Sequence, residues 1–135
     1  GLYETARQPN ELLVEILIPK EPPGDVSVFL ELAQRHGDFA MAGLACVGRV
    51  SNKVFEKLKL VYFGSEDRPT LANQTIDSIV GKVWSAETKE AAADALTNDL
   101  DPMTNLQGSA AMKLHLQKVL TKRALETAIE RAGEV

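Results

Sequence analysis

The sequence predicts an α+β fold: an antiparallel sheet of three to four strands from the first half, followed by three helices packed on one of its faces. Three observations predict it. Apolar residues alternate with period two as far as Gly64, they recur at helical spacing beyond it, and the connections between the alternating runs are short enough to require antiparallel neighbours. With 135 residues, 44% of them hydrophobic, one core can hide about two thirds of the surface an unfolded chain exposes, so residues 1–135 are expected to form a single domain.

Glu11 to Ile18 sets Leu12, Val14, Ile16 and Ile18 on one face and Leu13, Glu15 and Leu17 on the other, which reads as the first strand. Pro19, with Pro22, Pro23 and Gly24 behind it, closes that strand and turns the chain. Val26 to Gln34 alternates again, with Val26, Val28, Leu30 and Leu32 opposite Ser27, Phe29 and Glu31. Phe39 to Val50 is nearly unbroken and apolar, compatible with a doubly covered strand or a buried helix; Gly43 and Gly48 favour the strand, because glycine weakens a helix. After the turn Ser51-Asn52-Lys53, Phe55 to Phe63 forms the next strand, with Leu58, Leu60 and Tyr62 opposite Lys57, Lys59 and Val61.

Gly64 to Pro69 is a loop by composition. Asn73 to Trp84 then carries Ile76, Ile79, Val80 and Val83 at helical spacing. Ser85 is placed to cap a second helix that runs to about Leu100, with Ala91, Ala92, Ala95 and Leu96 inward, and Asp101-Pro102 stops it. The last helix spans about Ser109 to Ala132 and ends at Gly133. Its expected inner stripe is Met112, Leu116, Val119, Leu120, Ala124, Ala128 and Ile129, with Lys113, Lys118, Lys122 and Glu126 outside.

Composition removes several function classes. The net charge is −4 and the two signs are interspersed, so no basic stripe is available to follow a nucleic-acid backbone. The longest apolar run, around Phe39 to Val47, is about half the roughly 20 residues a membrane-spanning helix needs. The one cysteine, Cys46, lies inside that run and fits a buried thiol in a reducing, cytoplasmic setting. His36 and His115, the two histidines, have no metal-site spacing, and no catalytic residue set or metal ligand set stands out. The glycine patterns of dinucleotide folds, phosphate loops and nucleophile elbows are missing as well. The opening Gly1 to Thr5 reads as the interior of a longer polypeptide.

Three polar stretches are compatible both with plain turns and with ligand contact. In Arg35-His36-Gly37-Asp38, Gly37 can supply a positive φ and Asp38 can bond its own backbone, while the charges could also meet a ligand. Gly64 to Pro69 is a second such loop, and Asp101 to Ser109 is a helix-to-helix linker. Tyr3 and Trp84 are able to stack on a planar group or to serve in a core or interface.

In order along the chain, these stretches resemble one family. Gly1-Leu2-Tyr3-Glu4-Thr5, Pro9-Asn10-Glu11-Leu12-Leu13 and Ile16-Leu17-Ile18-Pro19 are similar to the opening of the C-terminal domain of the FAD-binding medium subunit of molybdenum hydroxylases, the group of carbon monoxide dehydrogenase flavoprotein and xanthine dehydrogenase. Arg35-His36-Gly37-Asp38-Phe39-Ala40 resembles its R-x-G-D segment. Gly64 to Pro69, Asp101-Pro102-Met103, Gln107 to Lys113 and Leu120 to Leu125 resemble its later loop and closing helices.

The resemblance implies an oxidoreductase part in which FAD passes electrons from iron-sulfur clusters to an external acceptor. FAD would be shared with N-terminal FAD-binding domains of the same subunit. The molybdenum cofactor would sit in a large partner subunit and the iron-sulfur clusters in a small one, in an assembly able to pair as a dimer of heterotrimers. By the same resemblance Leu13 packs on the isoalloxazine ring, Tyr3 lies near the flavin edge, and Arg35 and Asp38 belong to a loop beside it. Glu31 stands near where some members have a lysine that touches FAD, a departure at that contact. Alone, such a chain is expected to be an inactive part of a flavin site. The other reading is an assembly domain that touches no ligand.

Overall fold

The computed structural model describes residues 3–133; Gly1 and Leu2, which open the family-like stretch, and Glu134 and Val135 lie outside the described residues. A four-stranded sheet is built from β1 (Val26–Leu32), β2 (Ala42–Ser51), β3 (Val54–Phe63) and β4 (Thr70–Leu71), followed by α1 (Asn73–Ile79), α2 (Ala86–Asp99) and α3 (Ala110–Arg131). The strands lie side by side in chain order and every pairing is antiparallel, as the short connections require.

Alternation decides which face is covered. Val28, Leu44, Cys46, Leu58, Leu60 and Tyr62 point to the helices and are buried, together with Ile79, Leu96, Leu120, Ala124 and Leu125 from above. Helix α3 packs on β1 and β2, α1 packs on β3, and α2 closes over α1 and α3. The opposite sheet face has no helix on it among the described residues. There Phe29 stacks on Phe63 with ring centroids 5.3 Å apart, and Phe29, Val47 and Leu71 remain in contact with solvent.

Capping follows the sequence. The hydroxyl oxygen of Ser85 accepts from the Thr88 N–H at 3.3 Å, and that of Ser109 accepts from the Met112 N–H at 3.2 Å. Asp99, at the end of α2, receives the N–H groups of Gln74 and Thr75, and so satisfies the start of α1 with a side chain from the neighbouring helix. The near edge of the body is clamped at Asp25. Lys57 and Arg49 both bind its buried carboxylate, at 2.6 and 2.8 Å, and hold it below the usual carboxylate range, Lys57 contributing most. Arg49 also donates to the carbonyl of Pro23 at 2.9 Å.

Four expectations are corrected. Glu11 to Ile18 is not a strand: it forms no ladder, and Leu12, Leu13, Val14, Ile16, Leu17 and Ile18 are all exposed. An alternating run becomes a strand only where a partner strand and a covering layer exist, and neither is present for it among the described residues. The fourth strand is instead β4, two residues long, which the loop composition around it concealed. Helix α1 stops at Ile79, with Gly81 in a positive-φ turn, so that Val83 leaves the helix and bridges to Val54.

In α3 the inward stripe is turned by about one residue, about 100°. Lys113, Gln117 and Thr121 are buried along with Leu120, Ala124, Ala128 and Ile129, while Met112 is exposed and Leu116 and Val119 are partly buried.

Candidate functional site

Three of the family-like stretches meet at one end of the sheet, where β1 and β3 finish and β2 and α3 begin. The Met41 N–H donates to the Leu32 carbonyl at 2.8 Å, which closes the 33–40 loop as a long hairpin connection. Gly64 then packs on Ala40. It holds φ +82°, and a Cβ there would lie 2.6 Å from the Ala40 carbonyl oxygen, so any side chain would be both strained and obstructed. The Met103 N–H donates to the Ser65 carbonyl at 2.9 Å, and the Gln107 amide donates to the Phe39 carbonyl at 3.4 Å. The loops 35–40 and 64–69 and the linker 101–109 are thereby tied to each other.

Within the first of them, Arg35 to Asp38 is a tight turn. The Asp38 N–H donates to the Arg35 carbonyl at 3.1 Å, Gly37 has φ +83°, and the Asp38 carboxylate accepts from the Phe39 N–H at 2.9 Å. The Arg35 guanidinium stands 3.6 Å from the same carboxylate. Both charges are locally satisfied, yet Arg35 and the neighbouring Phe39 ring point into solvent, leaving a polar and aromatic edge open to a partner. An exposed pair of this kind adds little to stability, at most about 1 kcal/mol.

Tyr3 and Leu13 are elsewhere. Tyr3 is 98% exposed and Leu13 68% exposed, both on the irregular segment ahead of Pro19. Among the described residues no hydrogen bond or ion pair joins residues 3–18 to residues 24–133; the segment's own bonds stay inside the turn Arg7 to Glu11. The structure therefore brings Arg35 and Asp38 together and leaves Tyr3 and Leu13 apart from them. Glu31 lies on the helix-free sheet face, opposite Gly43.

Below the gathered loops is a buried polar layer that sequence reasoning missed. Gln117 donates from its amide to the Phe63 carbonyl at 3.1 Å and to the Ser65 hydroxyl at 3.0 Å. One turn earlier, Lys113 is 0% exposed. Its Nζ and the Oε1 of Gln117 have no hydrogen-bond partner among the described residues, and desolvation pulls Lys113 below its ordinary value. One turn later, the Thr121 hydroxyl donates to the Gln117 carbonyl, so the Tyr62 hydroxyl must be the donor in the 2.7 Å bond between Tyr62 and Thr121. The available signal was spacing: Lys113, Gln117 and Thr121 recur every four residues and lie on the stripe of Leu120 and Ala124. Their polarity argued for the outside and prevailed.

Two other residues singled out by type are structural. Trp84 packs edge-on to Phe55, with centroids 6.4 Å apart, and belongs to the core periphery. Cys46 is buried and its thiol is pushed up to about 12, which makes it inert. Among the described residues no three His, Cys, Asp or Glu side chains converge as a metal site, and no helix is long and apolar enough to cross a membrane.

Residues 27–128 match the sequence model of the CO dehydrogenase flavoprotein C-terminal domain. The carbon monoxide dehydrogenase medium chain of Hydrogenophaga pseudoflava is 30% identical over 98% of this chain and 46% of its own length. The xanthine dehydrogenase FAD-binding subunit of Escherichia coli O157:H7 is 25% identical over 98% of this chain and 46% of its own. The chain thus spans less than half the length of these relatives.

Among solved structures, carbon monoxide dehydrogenase from Hydrogenophaga pseudoflava superimposes with a TM-score of 0.79 at 28% identity, over 84% of this chain and 40% of that one. Quinoline 2-oxidoreductase from Pseudomonas putida 86 gives 0.73 at 29% identity, over 82% and 39%. With a match across most of its length and a sheet-and-helix body of the same shape, the chain belongs to the CO dehydrogenase flavoprotein C-terminal domain family.

Proposed function

We propose that this chain is the C-terminal part of an FAD-containing medium subunit of a molybdenum hydroxylase, where it forms one wall of the flavin site. The observation that carries the reading is family membership over residues 27–128; ahead of that match, the exposed apolar Leu13 is a residue that would suit an isoalloxazine ring. The side chains fit such a ring in part. Leu13 offers an apolar wall and Tyr3 an aromatic edge, while Arg35 and Asp38 present charge of both signs. Nothing in the chain supplies a glycine-rich cradle for a diphosphate, so the nucleotide end of FAD belongs to a preceding part of the subunit.

When bound, FAD supplies a carrier that accepts and releases electrons. The chain's residues contribute position and polarity. Leu13 excludes water from one ring face, Tyr3 shields an edge, and the Arg35–Asp38 turn fixes charges whose field tunes how readily the flavin is reduced. Electrons would come from iron-sulfur clusters in a small partner subunit, fed by a large molybdenum-containing one, and leave to an external acceptor.

The test is to express the chain with and without the polypeptide encoded ahead of Gly1 and to record flavin absorbance and reduction rate. The expected result is a colourless chain alone, a yellow extended chain, and a loss of flavin affinity or a changed reduction rate in Leu13→Ala and Tyr3→Ala. Stoichiometric uptake of FAD by the chain alone would overturn the reading. A second reading, an assembly domain without ligand contact, is favoured by the exposed apolar residues of 12–18 and of the helix-free sheet face. Unchanged flavin affinity and reduction in both variants would select it.

A further inference from the structure

We infer that Leu12 to Ile18 is a strand donated to a sheet outside this chain's own fold, and that the sheet is supplied by the part of the subunit that precedes this region in the relatives. The inference rests on the medium-subunit reading above but not on any contact with flavin.

The segment has every property of a strand except a partner. It is rich in Leu, Ile and Val, its apolar run is interrupted only by Glu15, and Pro19 ends it where a ladder must stop. Leu12, Val14, Ile16 and Ile18 make one wholly apolar face, and Leu13 and Leu17 flank Glu15 on the other. A strand that faces water on one side is polar there, so apolar residues on both sides call for cover on both. In the structure all six are exposed, and no backbone hydrogen bond from Leu12 to Ile18 is satisfied within the described residues. Seven residues in this state, about 23 Å of extended chain, are a template for strand pairing.

Three observations select the occupant. First, similarity to the relatives runs through the segment, covering 98% of the chain in two of them, whereas the family's own domain matches only from residue 27. The segment is therefore shared with the relatives yet lies outside the unit that defines the C-terminal domain. Second, the chain spans only 46% of those relatives, so more than half of each lies outside the match. Third, among the described residues no hydrogen bond or ion pair ties it to the sheet-and-helix body. The body is first gripped at Pro23 and Asp25, by Arg49 and Lys57, and Pro19 to Pro22 merely line an open groove beside Val47, Lys57 and Lys59. The structural boundary thus falls between Pro19 and Asp25. Residues ahead of it belong with the preceding unit, although they are continuous with this one.

Amide hydrogen exchange on the chain, and on the chain extended by the polypeptide encoded ahead of Gly1, tests this without flavin. In the chain alone, amides 12–18 should exchange at the rate of an unstructured peptide. In the extended, flavin-free chain at least every second one should slow by about 100-fold or more, independent of protein concentration. A companion variant, Ile16→Asp, should leave the melting temperature of the chain alone within about 1 °C and lower that of the extended chain by roughly 5 °C or more. Amides 12–18 unprotected in the extended chain would overturn the inference. So would protection that grows with concentration, the mark of a second copy as partner, or equal melting shifts in both forms. Protection with no flavin bound would leave the inference intact even if the flavin reading failed.

Discussion

Leu12–Ile18 and Val26–Leu32 are seven-residue runs that each set four apolar residues on one face, yet one is exposed along its whole length and the other is a strand of the sheet. The difference lies in what surrounds them. Val26–Leu32 has β2 to pair with and α3 to cover Val28, whereas Leu12–Ile18 has neither within the described residues. Local pattern states how much burial a segment demands; only the rest of the molecule, or a partner, can meet that demand.

The contrast can be broken first in the core. Leu60→Ala empties a fully buried site in β3 and should cost about 3–4 kcal/mol in urea unfolding, whereas Leu17→Ala in the chain alone should stay within about 0.5 kcal/mol. Comparable losses at the two sites would mean that the segment is packed after all. Gly64→Ala should cost about 2–3 kcal/mol, because it combines a positive φ with a backbone obstruction at Ala40. Loosening of the 35–40 loop would then show as faster amide exchange there, with none at 12–18.

Smaller effects sharpen the account of the body. Lys113→Met removes a buried, unpartnered ammonium and should stabilise the chain by about 1–2 kcal/mol at neutral pH. Because burial lowers the lysine in the folded state, folding releases protons. The native chain should therefore gain stability relative to Lys113→Met as pH rises through the folded value toward 10.5. A flat difference against pH would show that the ammonium finds a partner. Tyr62→Phe takes away the donor to Thr121 and should cost about 1 kcal/mol by thermal unfolding.

The sheet and helices were legible from particular residues. Leu58, Leu60 and Tyr62 against Lys57 and Lys59 set the inward face of β3 correctly, Ser85 marked the cap of α2, and Ser109 marked where α3 starts. Three features were hidden for physical reasons. The Glu11–Ile18 pattern records burial that the other described residues do not provide. The strand β4 is too short to carry a period. Lys113 and Gln117 lie on the buried stripe, but polarity argued for the outside, and only tertiary packing shows otherwise.

The candidate site was legible in part. Arg35 and Asp38 form the turn that Gly37 allows, and the gathering of loops 35–40, 64–69 and 101–109 at one end of the sheet could not be seen from their separation in sequence. Tyr3 and Leu13 stay exposed and apart from that turn among the described residues.

Deleting residues 1–18 and following thermal unfolding, with and without the polypeptide encoded ahead of the chain, addresses the division into body and donated strand most directly. The body alone should unfold cooperatively at the same temperature, within about 2 °C, whether or not residues 1–18 are attached, and the upstream polypeptide should lose stability when those residues are missing. A body that melts far lower, or loses its cooperative transition, once the segment is gone would contradict the account.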